Sequence, residues 1–394
     1  MPKSKNASEQ PLIAIDFVFF DHSNLGAGQY RYLVQLIRGL SSKSGYRFLV
    51  IGSKPQPVPE ICDIFEKHQN WQYASLPWKT GRFWDISCSL RYSQLLKRHL
   101  VDLFHATHLM VPLFLSCPVV LTKYDLMEEI FDEYVAMRSH RPYVMHKKAC
   151  RDRVNQIISI SHSTHNDLVR FFDVDPEKSK VIHLAVDSST QPEKPPFTND
   201  SQWDQWMSGD SPWILSLYNL EPRKNLMGLC KALPAIAERY PDIRLVLFGK
   251  ASWSEQREDD FNQEIGRLGL TDRIFRVGFV SDEQLTWLYG NATVFVFPSF
   301  YEGFGYPVIE AMGAGGTVVA ANISSMAELL SDAGVAVDVR DPQSIAENVN
   351  ALIADPDRRR ALGIRGRHWA SSFSVDNFVD KTFDTYVDVL NANS

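Results

Sequence analysis

The sequence of 394 residues predicts two doubly wound α/β units, each a parallel sheet with helices on both faces. Short apolar runs alternate with helical segments through the first half of the chain. The same alternation starts again after a stretch rich in proline and small polar residues. The length agrees, because a single hydrophobic core rarely extends through so many residues.

The first unit is predicted over residues 11–186, after a disordered polar tail of residues 1–10. Its first strand covers residues 12–20, and residues 29–40 have the 3.6-residue apolar period of a helix. Five more short apolar runs are predicted strands: residues 47–51, 103–105, 119–122, 157–160 and 181–183.

A linker is predicted over residues 187–212 and the second unit over residues 213–372. Six apolar runs of the second unit are predicted strands: residues 213–217, 244–248, 274–277, 294–297, 317–320 and 335–337. We expect the last helix, residues 373–394, to pack back toward the first unit. Such sheets bind ligands beyond the carboxyl ends of their strands, so we expect two Rossmann-like domains that face each other across a cleft.

The composition is that of an ordinary cytoplasmic globular protein, with 44% hydrophobic and 22% charged residues. Five scattered cysteines form no CxxC pair, so neither a disulfide framework nor a zinc site is predicted. The net charge of −6 divides into +4 over residues 1–190 and −10 over residues 191–394. Such modest basicity gives no support to nucleic-acid binding.

The most informative segment is residues 302–310, in which Glu302 and Glu310 bracket a turn of glycine and aromatic residues. A predicted strand precedes the turn, and Pro307 is placed where a helix would start. Free backbone N–H groups at a helix start bind anions, and a carboxylate there can hold a pair of hydroxyls. The segment favours a site for a phosphate joined to a sugar. The alternative is a pair of ordinary glutamates, one near a helix dipole and one in water.

Two adjacent cations, Arg223 and Lys224, follow the first strand of the second unit and precede Asn225 and a predicted helix. Arginine offers a planar fork of donors and lysine a compact charge, which together suit a diphosphate. A solvated pair of surface cations is the alternative. Their position at the end of a strand favours the diphosphate.

A glycine loop at residues 23–29 follows the first strand of the chain and contains Gly26 and Gly28. Glycines in such a loop let the backbone approach a ligand closely. The loop lacks the third glycine of a dinucleotide fingerprint, since Tyr30 and Arg31 stand in its place, so nicotinamide binding is poorly supported. A tight turn between strand and helix is the alternative.

Further candidates follow two other strands of the first unit. His105 and His108 lie at the end of a short strand, where a histidine could bind a sugar hydroxyl or steady a developing charge. Asp125 ends the next strand and could accept a hydrogen bond from an acceptor hydroxyl, although a helix cap is the more frequent role. No third ligand accompanies the histidines, so no metal is expected.

A basic run covers residues 138–153 and could meet anionic lipid headgroups as a surface helix; a solvated helix face is the alternative. The cations and histidines of the run are Arg138, His140, Arg141, His146, Lys147, Lys148, Arg151 and Arg153.

These segments together resemble the retaining glycosyltransferases of family 4, which have the two-domain GT-B fold. The resemblance extends from about residue 12 to residue 390. It is strongest at the Glu221-Pro222-Arg223-Lys224-Asn225 segment and at residues 302–310, which match the E-x7-E motif of that family.

The resemblance implies a role for each matching position. Arg223 and Lys224 would bind the donor diphosphate, with Gly26 and Gly28 approaching it from the first domain. Glu302 would lie by the donor sugar and phosphate, beside the backbone of Gly303, Phe304 and Gly305, and Glu310 would hold the ribose. His105 would be the near-catalytic histidine, with His108 and Asp125 on the acceptor side. Tyr124 departs from the family pattern, because many relatives have histidine there.

The implied reaction moves a hexose, with a mild preference for mannose over glucose, from a GDP or UDP sugar to a saccharide or lipid-linked acceptor. It would retain the anomeric configuration and need no metal or other cofactor, because Arg223 and Lys224 can neutralise the leaving diphosphate. Two alternatives stay open: a non-catalytic scaffold or regulatory subunit of the same fold, and a sugar-nucleotide epimerase. We expect a cytoplasmic enzyme, peripheral at the inner face of the membrane if the basic run binds lipid.

Overall fold

The computed structural model describes residues 10–19, 27–77, 84–108, 111–138, 140–186, 211–250 and 254–393. The chain divides into two compact units. The first consists of Met1–Ala185 and Val375–Ser394, and the second of Val186–Ser374. Each described unit is a parallel sheet flanked by helices, so the predicted α/β fold class is confirmed. Residues 1–9 of the predicted tail and residues 187–210 of the predicted linker lie outside the described residues.

Seven strands form the sheet of the first unit, in the order β3-β2-β1-β4-β5-β6-β7. Their bounds are β1 Leu12–Asp16, β2 Arg47–Gly52, β3 Trp71–Ser75, β4 Leu103–Ala106, β5 Val119–Lys123, β6 Gln156–Ser159 and β7 Ser179–Val181. All neighbouring strands are parallel. Every residue of β1, β4 and β5 is buried, because helices cover both faces of the central strands.

The helices of the first unit lie between these strands, except for the last one, which closes the chain. Their bounds are Ala27–Leu40, Pro59–Lys67, Trp84–His99, Met127–Ile130, Val135–Arg138, Arg141–Asp152, His162–Phe172 and Val375–Ala392. The last helix packs against the helix Ala27–Leu40 and against β5 and β6. Ion pairs between Lys43 and Asp380 and between Lys180 and Asp388 flank this packing.

Six strands form the sheet of the second unit, in the order β10-β9-β8-β11-β12-β13. Their bounds are β8 Trp213–Leu217, β9 Arg244–Phe248, β10 Ile274–Gly278, β11 Val294–Phe297, β12 Val318–Ala321 and β13 Val335–Val337. The helices are Leu226–Arg239, Glu255–Arg267, Asp282–Asn291, Tyr306–Gly313, Ser324–Leu330, Pro342–Ala354 and Pro356–Ala370.

Each sheet has one point at which the chain reverses the direction in which it adds strands. In the first sheet this point lies between β1 and β4, and in the second it lies between β8 and β11. Loops that leave neighbouring strands there diverge to opposite faces and open a crevice at the carboxyl ends. The segments after β1, β4, β8 and β11 are therefore the places to look for functional side chains.

The sequence prediction missed one strand and misplaced a helix start. β3 is an edge strand in which only Trp71 is buried, so its five residues lack the apolar run of a central strand. β1 ends at Asp16, earlier than predicted. Pro307 is the second residue of the helix Tyr306–Gly313, so Glu310 lies in the second turn of that helix rather than the first.

Candidate functional site

The loop after β8 is held in place by the segment after β11. Residues Pro222–Lys224 form a 3₁₀ turn, and Asn225 follows in the left-handed conformation with φ of 51°. The Asn225 amide donates to the carbonyls of Pro298 at 3.2 Å and Val339 at 2.9 Å. The Phe300 N–H donates to the Arg223 carbonyl at 2.7 Å. These bonds bring the two predicted cations beside residues 298–302.

Glu302 forms ion pairs with both cations. Its Oε2 accepts from Nη1 of Arg223 at 2.8 Å, and its Oε1 accepts from Nζ of Lys224 at 2.6 Å. Nη1 of Arg223 also donates to the Tyr301 carbonyl at 3.2 Å. The structure therefore brings together Arg223, Lys224 and Glu302, which the sequence separates by almost 80 positions.

A second carboxylate, Glu221, completes this cluster. Its Oε1 accepts from Nε of Arg223 at 2.7 Å. The four side chains of Glu221, Arg223, Lys224 and Glu302 are between 11% and 17% exposed. Glu221 belongs to the segment that resembles family 4, but no role for it could be predicted, because nothing in the sequence shows that it contacts Arg223.

The charges of the cluster shift the pKa values of Glu302 and Arg223. Burial acts to raise the pKa of Glu302, but the adjacent charges of Lys224 and Arg223 outweigh burial and hold it below its usual value. Burial acts to lower the pKa of Arg223, yet the charges of Glu302 and Glu221 raise it above its ordinary value. Both shifts favour the charged forms of Glu302 and Arg223.

The glycine turn after Glu302 presents backbone rather than side chains. Phe304 is 4% exposed, and its ring packs on Tyr306 and Phe373. Gly305 has φ of 114° and begins the helix Tyr306–Gly313. The position favours glycine because L side chains rarely adopt this positive φ, and an added Cβ would also lie 2.2 Å from Cε of Met326.

Two serines hold the main chain of this turn from the helix Ser324–Leu330, and sequence reasoning missed both. The hydroxyls of Ser324 and Ser325 each donate to the Glu302 carbonyl at 2.8 Å. The Ser325 hydroxyl also lies 2.5 Å from the Phe304 carbonyl. The helix Ser324–Leu330 thus holds the backbone of the turn at Glu302 and Phe304, on either side of Gly303.

Glu310 lies on the helix that follows the turn, and its side chain is partly exposed. The Tyr289 hydroxyl donates to Oε2 of Glu310 at 3.5 Å, a long bond from the helix Asp282–Asn291. A carboxylate that is partly exposed at this position retains room to bind hydroxyl groups.

In the first unit, His105 occupies the interior of the sheet rather than its edge. It lies within β4 and has no exposed surface. Its Nε2 is 2.8 Å from Oγ1 of Thr122, and its Nδ1 is 2.7 Å from the Tyr386 hydroxyl. Burial lowers its pKa to about 3. With both nitrogens bonded inside the protein, His105 has none for a substrate, which departs from the expectation that it touches the reacting groups.

His108 lies two residues beyond β4 and is partly exposed. Its ring stacks on Phe19, with 3.5 Å between ring centroids and 15° between planes. Burial of most of the ring and the charge of Lys123 lower its pKa to about 3. The neutral, partly exposed His108 is thus better placed than His105 for a contact at the carboxyl end of the sheet.

Asp125 and Gly28 have ordinary local surroundings. Oδ1 of Asp125 accepts from the Met127 N–H at 3.4 Å, near the start of the helix Met127–Ile130. Gly28 is the second residue of the helix Ala27–Leu40, and Gly26 lies outside the described residues.

Asp16 is a buried carboxyl group that sequence reasoning missed. It ends β1 and accepts hydrogen bonds from the Tyr92 hydroxyl at 2.7 Å and the Val18 N–H at 3.0 Å. Burial, opposed by these two bonds, raises its pKa to about 6.

The basic run forms the helix Arg141–Asp152 and its flanks. Lys148 and Arg151 are exposed. Val144, in the first turn of the helix, is 52% exposed. Lys147 pairs with Glu129 at 3.0 Å, and Arg151 pairs with Asp152 at 2.8 Å. No helix of the described ranges combines the length and the apolar character needed to cross a bilayer.

Comparison with known proteins gives two adjacent family matches. Residues 26–190 match the family described as Glycosyltransferase Family 4, and residues 200–369 match Glycosyl transferases group 1. The chain is 33% identical over 244 residues to O-antigen chain mannosyltransferase B of Escherichia coli, covering 60% of this chain and 61% of that protein. It is 32% identical over 183 residues to a GDP-mannose-dependent phosphatidylinositol monomannoside mannosyltransferase of Mycolicibacterium smegmatis, covering 44% and 46%. The chain thus spans less than two thirds of these relatives.

Among solved structures, the Anabaena protein HepE in complex with UDP and glucose is similar, with a TM-score of 0.73. It is 19% identical and the match covers 96% of this chain and all of that one. The glycosyltransferase WaaG, with a role in lipopolysaccharide biosynthesis, has a TM-score of 0.68 at 15% identity and 95% and 99% coverage. At these identities the likeness shows a shared fold.

Proposed function

The chain belongs to the family 4 glycosyltransferases of the GT-B fold, and from this membership we propose that it moves a hexose from a nucleoside diphosphate sugar to a saccharide or lipid-linked saccharide hydroxyl. The observation that carries the proposal is the placement of Arg223 and Lys224. Both lie in the loop after β8, at the switch point of the second sheet, beside Glu302 and the glycine turn.

In the proposed reaction, Arg223 and Lys224 neutralise the charge that builds up on the leaving diphosphate. The backbone of Gly303 and Gly305 lies beside the phosphates, Glu310 holds the ribose, and Glu302 lies near the donor sugar. Since two side chains supply the positive charge, the reaction is proposed to need no metal ion or other cofactor.

The acceptor hydroxyl is proposed to attack from the face that the diphosphate leaves, so the anomeric configuration is retained. A phosphate oxygen of the leaving group takes the hydroxyl proton. We assign the role of the histidine that contacts the substrate to His108, because its ring is partly exposed and neutral. His105 is proposed to stabilise the first unit through its two buried hydrogen bonds. Asp125 is proposed to lie on the acceptor side.

Mannose is the preferred candidate for the transferred sugar. Two relatives are named as mannosyltransferases, and one of them is named as dependent on GDP-mannose. The Anabaena structure of similar fold contains UDP and glucose, which keeps a UDP-glucose donor as the second candidate. A ligand that binds the folded state raises its melting temperature, so a thermal-shift comparison of GDP, UDP, GDP-mannose and UDP-glucose identifies the donor.

Transfer is tested with the donor so identified, a saccharide acceptor and a metal chelator. We expect release of nucleoside diphosphate with the chelator present, and a product of unchanged anomeric configuration by NMR. Arg223→Ala is expected to reduce transfer by about a hundredfold or more. Arg267→Ala is the matched control, because Arg267 is 69% exposed and pairs with Glu264 on a surface helix.

Full transfer by Arg223→Ala would contradict the proposed site. Nucleotide-sugar binding with no transfer to any acceptor would instead favour a scaffold, and epimerised nucleotide sugar without acceptor would favour an epimerase.

Contact with anionic membranes is a second part of the proposal, supported by Lys148, Arg151 and the exposed Val144 on one helix. We expect sedimentation with phosphatidylglycerol vesicles but not with phosphatidylcholine vesicles. The double variant Lys148→Glu, Arg151→Glu is expected to stay in the supernatant. Arg267→Glu with Arg360→Glu, two exposed arginines of the second unit, is the control for the change in net charge. Equal binding to both lipids would reject this part.

A further inference from the structure

The cations of the proposed diphosphate site are already neutralised by carboxylates of this chain. Arg223 and Lys224 supply two positive charges, and Glu221 and Glu302 supply two negative charges within hydrogen-bond distance. A diphosphate would therefore meet a cluster of zero net charge. Because these side chains are mostly buried, the repulsion between Glu302 and a phosphate would be poorly screened by solvent.

The two carboxylates contact different parts of the cations. Glu302 places one oxygen on Arg223 and the other on Lys224, at 2.8 Å and 2.6 Å. Two oxygens of one phosphate would make the same pair of contacts, because both groups present a short O–X–O edge to donors. Glu302 thus occupies the place of an anionic ligand.

Glu221 instead contacts Nε, at the base of the guanidinium group, at 2.7 Å. The terminal nitrogen Nη1 contacts Glu302 and the Tyr301 carbonyl. Nη2 has no hydrogen-bond partner among the described residues. Glu221 therefore holds the plane of Arg223 without using the terminal nitrogens that a phosphate would contact.

The main chain around Glu302 is tied at several points, so its side chain can rotate while the turn stays in place. The Ser324 and Ser325 hydroxyls hold the Glu302 carbonyl, and the Phe300 N–H holds the Arg223 carbonyl. Rotation about the side-chain bonds of Glu302 would carry its carboxylate away from the cations without breaking these main-chain bonds.

We propose that the donor diphosphate displaces Glu302 from Arg223 and Lys224, while Glu221 stays bound and acts as the positioning residue for Arg223. The proposal rests on the proposed function of the site. Displacement frees the Glu302 carboxylate to turn toward the donor sugar at the moment the diphosphate takes its place. Glu302 and Glu221 thus act in opposite directions on diphosphate affinity.

Calorimetric titration of the full chain with GDP and with UDP tests this proposal, using Glu302→Gln and Glu221→Gln. Glutamine keeps the shape and removes the charge. We expect Glu302→Gln to bind the preferred nucleotide about tenfold more tightly than the wild type while transfer is lost, because the competing charge is gone. Glu221→Gln is expected to bind it about tenfold more weakly, with the loss appearing in KM more than in kcat.

Glu264→Gln is the matched control, since Glu264 also pairs with an arginine but lies on the surface helix Glu255–Arg267. Melting temperatures without ligand establish that each variant is folded. Unchanged or weaker nucleotide binding by Glu302→Gln would overturn the displacement, and unchanged binding by Glu221→Gln would overturn the positioning role. If the wild type binds neither nucleotide, the proposed function itself fails, which is a separate result.

Discussion

A hydrogen bond of 2.7 Å joins the Tyr386 hydroxyl, in the last helix of the chain, to Nδ1 of His105 in β4. Nε2 of His105 is in turn hydrogen-bonded to Oγ1 of Thr122 in β5 at 2.8 Å, and Oγ1 of Thr122 is hydrogen-bonded to the Tyr32 hydroxyl at 2.7 Å. Tyr32 lies in the helix Ala27–Leu40. This buried row of polar groups links two helices and two strands, so it attaches the end of the chain to the core of the first unit.

Replacing Tyr386 by phenylalanine is expected to destabilise the first unit by about 1–3 kcal/mol, because a ring nitrogen of His105 would be left buried without a partner. Urea unfolding measures the change. Tyr73→Phe is the control: its hydroxyl bonds the Lys54 carbonyl at an exposed site, so less than about 0.5 kcal/mol is expected. Equal losses in the two variants would show that burial of the network is unimportant.

The stability of the first unit is expected to fall in acid partly through His105. The folded protein resists protonation of His105 until pH about 3, whereas the unfolded chain takes up the proton near its ordinary value of 6.5. The unfolded state therefore binds more protons below pH 6.5. Stability from this group is lost at up to about 1.4 kcal/mol per pH unit as the pH falls.

His105→Gln removes that titration, so the stability difference between wild type and variant should shrink from pH 7 to pH 5. The comparison with the variant is needed because other groups also make the stability depend on pH. Protonation of His108 destabilises the folded state in acid, as that of His105 does, whereas protonation of Asp16 stabilises it. The raised pKa of Asp16, about 6, makes the folded state bind the extra proton between its ordinary value of 3.8 and 6. A pH-independent difference would contradict the buried neutral state of His105.

Gly305→Ala is expected to destabilise the second unit by about 2 kcal/mol or more and to abolish donor binding. The residue has φ of 114°, and the new Cβ would overlap Met326. Gly266→Ala, on an exposed helix with nothing within 4 Å of the added Cβ, is expected to gain up to about 1 kcal/mol. Thermal unfolding of both variants gives the comparison, and similar melting temperatures would contradict it.

Asn225 is expected to be required for the shape of the loop that holds Arg223 and Lys224. Asn225→Ala loses two hydrogen bonds. It also places alanine in the left-handed backbone region, which asparagine tolerates better because its side chain can form local hydrogen bonds. We expect a loss of about 2–4 kcal/mol. Asn225→Gly loses the same bonds but relieves the backbone, so it should retain about 1 kcal/mol more stability in the same unfolding measurement. Equal stability of the two variants would show that the conformation is unimportant.

Strands could be predicted from the sequence where a local pattern of residue types distinguishes them from their surroundings. The central strands are apolar runs bounded by turn residues, and they were predicted within a few residues of their bounds. The edge strand Trp71–Ser75 was missed because an edge strand needs no continuous apolar run. The segments at the carboxyl ends of β8 and β11 were found as candidates from residue type and position.

The two histidines of one segment show where local pattern ends. Both were predicted at a strand end, but β4 continues to Ala106, so His105 lies inside the sheet and His108 beyond it. The buried His105 is hydrogen-bonded to Tyr386 of the last helix, which follows it by 281 positions. No spacing rule connects residues that far apart.

The sequence by itself determined the two-unit α/β fold and the residue types at each strand end, because both depend on periodicity and chemistry within about ten neighbouring residues. Only the tertiary structure decided the partners: Glu302 with Arg223 and Lys224, Glu221 with Arg223, and His105 with Tyr386. The order of strands in each sheet brings these distant segments together, so the charge on the candidate diphosphate site is a property of the fold. A motif shows that two cations are present, and the fold shows that two carboxylates already neutralise them.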